Sequence, residues 1–415
     1  MNYGRGFPKF LGVGVERIQF YPDPDPDSDS DPDNAPRSEI RQMSYGIMAY
    51  KPSSDKILFF TAGLLTIFGL VMVYSASSVM ASSQHGTSSY FFLRQLLHAG
   101  VGFIFLIFMM NVDYHVWQKP KAIAVMLTIC ALALLFVMTQ GKVNGAHRWL
   151  RYGPFISFQP SEVAKLVVIV FMAAYLHKHE SQINQPIRRL LPFGVVVGLF
   201  AGLIAIEPDL GQALCICLIM GIVLYVAGLA WYYFAGAALM AIPAFYLFVL
   251  RVPFRWERIK SFLNPFHDPL GSGWQISQSL TAVGTGGFSG LGLGASRQKL
   301  FFLPEASSDF IFAVIGEELG LIGTCLVALA FLIFFYRGIR IILRSPDRFG
   351  FYLGLSITLM VALQGFINIS MVLAMMPTKG IALPFVSQGG SSLLLNLLAT
   401  GVLLNLSNHN TLPEA

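Results

Sequence analysis

Long apolar runs separated by short polar connections occupy most of the chain after Ile57. A membrane-spanning helix needs about 20 consecutive, mostly apolar residues. Runs close to that length lie near residues 57–78, 95–112, 122–139, 162–177, 192–207, 210–228, 230–250, 309–336, 351–376 and 384–406. We therefore predict an all-α polytopic membrane protein with about ten transmembrane helices.

The composition excludes a water-soluble enzyme of two or three domains. Of the 415 residues, 55% are hydrophobic and only 12% are charged, whereas soluble domains average about 25% charged residues. The mean hydropathy of +0.62 agrees with this conclusion. The chain has too few polar side chains to cover a water-facing surface of its size.

The chain divides into three predicted parts: an acidic tail over 1–50, a transmembrane domain over 51–408 and a short tail over 409–415. The first part contains the Pro- and Asp-rich segment YPDPDPDSDSDPDN, which cannot form a packed core and predicts disorder. Basic residues in the short loops favour cytoplasmic termini by the positive-inside rule. The long segments 140–161 and 252–308 are then extracytoplasmic.

The basic residues outside the acidic tail suit anionic lipids and anionic lipid-linked substrates, or they simply set the topology. Within the second long segment, RVPFRWERIKSFLNPF is basic and amphipathic and suits a membrane surface. Its GLGLG motif follows no predicted strand, so it is not a dinucleotide fingerprint. Neither a P-loop nor a zinc-binding spacing of His and Cys is present in the sequence.

Ionisable residues cluster at the predicted outer face, where charges at membrane depth are costly and therefore candidates for function. Several of them have equally plausible structural roles. A salt bridge on one helix face explains Glu162 and Lys165, and capping of the following helix explains Glu207 and Asp209. The candidates are Arg148, Arg151, Glu162, Lys165, Glu207, Asp209, Glu305, Asp309 and Lys379.

Asp309 precedes the apolar stretch from Phe310 to Ile315. Partial desolvation there would raise the pKa of its carboxyl group and strengthen it as a base. The alternative is a helix N-cap, which aspartate forms well. Glu317 and Glu318 follow about 12 Å further along the predicted helix at 1.5 Å per residue, and we expect them to form a structural pair with a neighbouring base.

Several ordered sequence blocks resemble the SEDS family (shape, elongation, division and sporulation) of polytopic peptidoglycan polymerases. The resemblance covers nearly all of the chain after residue 55. The blocks are NGAHRW at 144–149, FQPSEVAK at 158–165, EPDLG at 207–211, NPFHDPLGSGWQISQS at 264–279, LPEASSDFIFAVIGEELG at 303–320 and PTKGIALPFVSQGGSS at 377–392.

Within this family the chain resembles the division-type FtsW branch more than the elongation-type RodA branch. The Met-Pro-Thr-Lys-Gly segment at 376–380 carries most of that distinction. Two residues depart from the usual pattern: Gln388 replaces a Tyr, and Gln212 replaces a Thr. These two departures would change substrate contacts near the last helix.

The resemblance implies polymerisation of lipid II into glycan strands at the outer face of the cytoplasmic membrane during septal synthesis. It identifies Asp309 with the family's catalytic aspartate. The predicted substrate-binding residues are Arg148, Glu162, Lys165, Glu305, Lys379 and Ser387. The sequence requires no cofactor; Mg²⁺ or Mn²⁺ could help to hold the pyrophosphate, although no His-rich site calls for a metal.

The resemblance also implies a class B penicillin-binding transpeptidase of the FtsI type, other division proteins and membrane lipids as partners, and no nucleic acid. The implied location is the cytoplasmic (inner) membrane at the division septum. Three alternatives remain: an elongation polymerase, a lipid II flippase and an inactive scaffold that recruits a transpeptidase. Against a flippase, the charges cluster at one face, whereas transporters bind near the midplane.

Overall fold

In a computed structural model of the chain, the described residues are 54–140, 148–152, 156–207, 209–268 and 271–409. Helices dominate this part of the chain, and two short strands form an antiparallel hairpin in which Leu150 pairs with Phe158. The elements are α1 Lys56–His85, α2 Tyr90–Asn111, α3 Pro120–Val137, β1 Leu150–Tyr152, β2 Ile156–Phe158, α4 Pro160–His179, α5 Leu191–Ile206, α6 Leu210–Val226, α7 Trp231–Phe245, α8 Pro253–Leu263, α9 Trp274–Gly286, α10 Ile311–Leu343, α11 Arg348–Val372 and α12 Gly390–Asn408.

Each of the predicted apolar runs coincides with a helix, which confirms the all-α membrane class. Eight helical segments among the described residues are long and apolar enough to cross a membrane by length and composition. The other two runs correspond to α6, which is a shorter apolar helix, and to α7, which continues as a π-helical turn over Tyr246–Leu250. Because both are short, the number ten stays a prediction.

The helices α11 and α12 form the centre of the bundle. Their apolar windows are 72% and 78% buried, compared with 17% for α3. The helix α12 packs along α2, and α11 lies against α4 and α10. Gly401 permits the closest approach, since a Cβ atom there would lie 2.4 Å from the carbonyl oxygen of Leu106. The loops at the ends of these two central helices are therefore held firmly in place.

The helix α10 is broken at Gly320, whose φ of 63° and ψ of −157° are not helical. The glycine-rich segment after α9 satisfies the backbone groups freed by the break. Leu291 N donates to Glu317 O at 3.0 Å, and Leu321 N donates to Gly287 O at 2.9 Å. Irregular backbone in a membrane protein is stable only when its polar groups are paired in this way. Part of the segment predicted as an external loop thus folds back against α10.

Of the two glutamates before this break, Glu318 has the predicted neighbouring base, and Glu317 bonds to backbone N–H groups. Glu318 Oε1 lies 2.8 Å from Lys299 Nζ, and Ser75 from α1 donates a hydroxyl hydrogen bond to the same carboxylate. Glu317 accepts from the backbone N–H of Arg297 at 2.9 Å. The break at Gly320 lies beyond both glutamates, so it leaves the rise of about 12 Å from Asp309 to these residues unchanged.

A second buried ion pair joins the beginning of α1 to α10. Arg337 Nη2 lies 2.6 Å from Asp55 Oδ2, and both side chains are less than a tenth exposed. Asp55 also caps α1 by accepting from Leu58 N at 2.9 Å, and its own N–H donates to the hydroxyl group of Ser407 at 3.0 Å. Asp55 therefore connects α1 with the ends of two other helices.

We expect Asp55→Ala to lower the free energy of unfolding by about 3–5 kcal/mol, because it leaves the guanidinium of Arg337 buried without its carboxylate. The matched control is Glu180→Gln, which removes the partly exposed pair that Glu180 forms with Arg348 at 3.3 Å and should cost less than about 1 kcal/mol. Denaturation of the purified protein in detergent measures both changes. Equal losses in the two variants would contradict the importance of the buried pair.

Candidate active site

Asp309 lies in the turn that leads into α10. The residue that caps this helix is Phe310, and it makes no side-chain capping bond, so Asp309 does not have the alternative role of an N-cap. Glu305 shapes the turn: its φ is 56°, and its carbonyl oxygen accepts from Ser308 N and Phe310 N, both at 3.2 Å. The Ser308 hydroxyl group donates to Glu305 Oε2 at 2.7 Å.

The carboxylate of Asp309 faces the turn that connects α11 with α12. A Cβ atom built on Gly380 would lie 3.1 Å from Asp309 Oδ2, so the missing side chain at position 380 leaves room for the carboxylate. The same turn approaches the beginning of α6, where a Cβ atom on Gly211 would lie 3.7 Å from Lys379 Cβ. Two predicted site residues far apart in sequence, Asp309 and Lys379, are thereby brought to one place.

Cationic side chains from other segments surround this place. Arg258 from α8 donates from Nη1 to the carbonyl oxygen of Thr378 at 3.2 Å, next to Lys379. Arg148 Nε donates to the carbonyl oxygen of Glu207 at 3.1 Å. The charges of Arg148 and Arg258 both lower the pKa of Asp309. Arg258 therefore lies next to Lys379, and Arg148 and Arg258 both act on Asp309; the predicted role of Arg148 and Lys379 in substrate binding stays a prediction.

The pKa of Asp309 is raised from 3.8 to about 7. The largest cause is desolvation by burial, followed by the negative charges of Glu305 and Asp209, and the two arginines oppose the shift. Burial also lowers the pKa of Lys379, as do the charges of Arg258 and Arg255. A carboxyl group with a pKa near 7 can exchange a proton readily at neutral pH.

Glu162 and Lys165 lie in α4 and form the salt bridge that was the structural alternative. Glu162 Oε2 is 2.8 Å from Lys165 Nζ, and the side chains are 5% and 1% exposed. Gln212, one of the two departures from the family pattern, donates from Nε2 to Glu162 Oε1 at 2.7 Å. The pair is thus enclosed by protein, and its role in substrate binding stays a prediction.

Asp209 caps α6 by accepting from Gln212 N at 3.3 Å, which confirms its predicted capping role. Its other carboxylate oxygen accepts from Gln159 Nε2 at 3.1 Å. Glu207 does not cap the helix: its carboxylate oxygens are buried and have no hydrogen-bond partner among the described residues. Burial and the charge of Asp209 raise the pKa of Glu207 to about 8.

Ser387 lies beside the Asp309 turn and is 4% exposed. Its hydroxyl group donates to the carbonyl oxygen of Ser308 and accepts from Leu383 N at 2.8 Å. Both bonds go to the backbone, so these contacts favour support of the turn over the predicted contact with substrate. Gln388, the other family departure, acts here through its backbone N–H, which donates to Ser307 O at 2.9 Å.

Sequence reasoning assigned Arg258 to a membrane-surface helix and did not place it in the site. The only available signal was its position in the basic segment predicted to be external. The predicted candidate Arg151 lies in β1, and its side chain is outside the part of the chain that the structure describes. In the part of the chain that the structure describes, no group of three or more His, Cys, Asp or Glu residues could hold a metal ion.

Comparison with known proteins gives the family of the chain. The profile of the FtsW/RodA/SpoVE family, described as cell cycle proteins, matches residues 55–412. The chain belongs to this family. The SEDS resemblance of the sequence is thereby confirmed.

Individual relatives match over most of their length. The probable peptidoglycan glycosyltransferase FtsW of Geobacter sp. (strain M18) is 43% identical over 85% of this chain and 96% of its own. Stage V sporulation protein E of Bacillus subtilis (strain 168) is 44% identical over 87% and 98%. A solved chain from a peptidoglycan synthase complex that coordinates polymerization and crosslinking is 25% identical, with a TM-score of 0.71 over 85% and 97% of the two chains.

The raised pKa of Asp309 predicts that stability depends on pH. Because the folded-state pKa of about 7 exceeds the ordinary value of 3.8, ionisation disfavours the folded state, and the wild type loses stability as the pH rises from about 4 to 7. Asp309→Asn carries no such charge. We expect its melting temperature in detergent to exceed that of the wild type at pH 8, with a difference that shrinks as the pH falls towards 5. A difference that is independent of pH would contradict the raised pKa.

Proposed function

We propose that this protein is a peptidoglycan glycosyltransferase that polymerises lipid II at the outer face of the cytoplasmic membrane during septal wall synthesis. The observation that carries the proposal is the half-buried Asp309 carboxyl group, with its raised pKa, among the basic side chains Arg148, Arg258 and Lys379. The similarity to relatives named as probable peptidoglycan glycosyltransferases supports it.

The reaction joins the 4-hydroxyl group of an N-acetylglucosamine to C1 of an N-acetylmuramic acid that carries undecaprenyl pyrophosphate. The hydroxyl group is a poor nucleophile and needs a positioned base to accept its proton as the new bond forms. Asp309 accepts this proton. Its desolvated carboxylate is a stronger base than a carboxylate in water, because burial destabilises the charged form.

The bond between C1 and the pyrophosphate oxygen breaks as the glycosidic bond forms, and the electron pair leaves with the pyrophosphate. Its growing negative charge requires cations or oriented dipoles. Arg148, Arg258 and Lys379 supply positive charge beside the base, and a guanidinium group can hold two phosphate oxygens at once. An α-linked donor then gives a β-linked product in a single inverting displacement.

The cations beside Asp309 distinguish this site from that of a glycosidase. Glycosidases use a pair of carboxyl groups, one as general acid and the other as base or nucleophile. Here the pyrophosphate leaves without protonation by a second acid, and the nearest acid, Glu305, is exposed. The arrangement therefore suits a lipid-pyrophosphate donor better than it suits hydrolysis of a glycan.

The location and partners of the protein follow from this chemistry. The positive-inside pattern supports cytoplasmic termini, with the loops that hold Arg258 and Asp309 outside. Polymerised glycan must be crosslinked, and a similar solved chain comes from a complex that coordinates polymerization and crosslinking. The proposed partner in the membrane is accordingly a class B penicillin-binding transpeptidase of the FtsI type, alongside other division proteins.

Asp309→Asn should abolish polymerisation while the protein still folds. The amide keeps the shape of the side chain but cannot accept the proton, and a general base contributes roughly 10²- to 10⁴-fold. We expect at least about a hundredfold loss in an assay of the purified protein with labelled lipid II. The control is Asp268→Asn, at an aspartate on the same external segment that bonds to the backbone of Ser272. An Asp309→Asn protein with near-normal rate would eliminate the proposed base.

The arginines should be irreplaceable by lysine if they grip phosphate oxygens at two points. Arg148→Lys and Arg258→Lys keep the charge but lose the planar fork. Loss of a charge-assisted bond of about 1.5–3 kcal/mol predicts a fall in kcat/KM of roughly ten- to a hundredfold. Arg344→Lys, at the C-terminal end of α10, is the control and should behave as wild type. Unchanged kcat/KM for lipid II in both site variants would remove the arginines from the site.

A further inference from the structure

Three successive carbonyl groups in the turn before α10 accept hydrogen bonds from the chain between α11 and α12 or from α11 itself. Ser307 O accepts from Gln388 N at 2.9 Å. Ser308 O accepts from the hydroxyl group of Ser387. Asp309 O accepts from Asn368 Nδ2 at 2.8 Å. The backbone that carries the carboxylate is thus held at every residue from 307 to 309.

Asn368 makes the most specific of these contacts. It lies on α11 and is fully buried, and its Nδ2 group donates both to Asp309 O and to Ile381 O, the latter at 2.7 Å. Carbonyl oxygens only accept hydrogen bonds, so the amide nitrogen of Asn368, and not its amide oxygen, must face these two partners. Asn368 therefore ties the turn of Asp309 directly to the turn of Lys379.

The amide oxygen of Asn368 has no hydrogen-bond partner within the described residues. A buried polar atom without a partner destabilises the folded state, so asparagine at this position is not optimal for stability alone. An apolar side chain of similar size would avoid that penalty but could not donate to the two carbonyl groups. Asparagine is suited to this position because its side-chain amide donates both hydrogen bonds.

These bonds set where the carboxylate of Asp309 lies. With the two turns joined through Asn368, Asp309 Oδ2 comes within 3.1 Å of the place where a Cβ atom at Gly380 would stand. Ser387 strengthens the join, because its hydroxyl group bridges Ser308 O and Leu383 N. The distance between the base and the cation at position 379 is consequently fixed by buried hydrogen bonds.

We propose that Asn368 is a positioning residue, which with Ser387 holds the backbone of Asp309 so that its carboxylate stays beside Gly380 and Lys379. Asn368 acts through Asp309 and does not contact the substrate. The proposal rests on the proposed function, since it assigns a role in the same proton transfer. A shift of about 1 Å in a reacting group can cost on the order of a hundredfold in rate, so a buried clamp of this kind has a measurable effect.

The main test compares Asn368→Leu with the matched control Asn396→Leu in the purified full-length protein, with labelled lipid II as substrate. Asn396 is also buried, but its Nδ2 group donates to Ser392 O at 2.9 Å within α12. We expect Asn368→Leu to lower kcat by roughly a hundredfold with KM within about threefold of wild type, because substrate contacts are intact. Asn396→Leu should keep both constants within about threefold.

The pH profile of kcat distinguishes displacement of the base from partial unfolding. An inactive fraction lowers kcat equally at every pH, whereas a loosened turn admits water to Asp309 and changes its ionisation. We expect the acid limb of the Asn368→Leu profile to move to lower pH than in the wild type. A profile that falls uniformly without such movement would overturn the positioning role, as would unchanged kcat or a loss confined to KM.

Gly380→Ala tests the same geometry without touching the hydrogen bonds, in case Asn368→Leu does not fold. The added methyl group would press on Asp309 Oδ2, and kcat should again fall with KM retained. Its control is Gly389→Ala, where a Cβ atom meets only an ordinary contact of 3.6 Å with Ser392. Equal activity of the two alanine variants would overturn the proposal. Absence of polymerisation by the wild type itself would instead overturn the proposed function.

Discussion

A helical membrane protein must pair every backbone polar group inside itself, and this requirement determines how the site is built. The break of α10 at Gly320 would leave carbonyl and N–H groups unpaired, and the glycine-rich segment after α9 pairs with them. That segment must therefore fold back against α10. The turn that follows it in the chain, which contains Asp309, is thereby held near the beginning of α10. Asp309 stands where this turn enters the helix, so its position depends on backbone pairing several residues away.

Electrostatics in the site then follows from how far each charged group is removed from water. Asp309 is half-buried, and its pKa rises because desolvation outweighs the attraction of Arg148 and Arg258. Glu162 and Lys165 are more deeply enclosed and neutralise each other at 2.8 Å. At Lys379, by contrast, the positive charges of Arg258 and Arg255 add to the effect of burial and lower the pKa of the amine. An anionic ligand relieves that repulsion.

Much of the fold could be predicted, because hydropathy alone locates helices in a membrane protein. Each apolar run corresponds to a helix, and Glu318 pairs with a neighbouring base, Lys299, as predicted. The break at Gly320 was not predicted, since a single glycine in an apolar run gives no sign of a distant segment that pairs with it. The hairpin of Leu150 and Phe158 was missed because strands of three residues have no detectable alternation.

The site was predictable in residue type but not in geometry. The positions of Asp309 and Lys379 in sequence blocks of the family pointed to both, but nothing in their spacing shows that Gly380 leaves room for the carboxylate. Arg258 was assigned to a membrane surface because a basic amphipathic helix is typical of one, whereas its bond to Thr378 O places the guanidinium group next to Lys379. Ser387 was predicted as a substrate ligand, whereas both of its bonds go to the backbone.

The two acids of the turn before α10 lie in different environments. Glu305 is exposed, and its carboxylate accepts a hydrogen bond from Ser308. Asp309 is more deeply buried, and the charge of Glu305 adds to the rise of its pKa. Glu305 therefore raises the pKa of the proposed base, and the proposed backbone clamp keeps the two carboxylates in these separate environments.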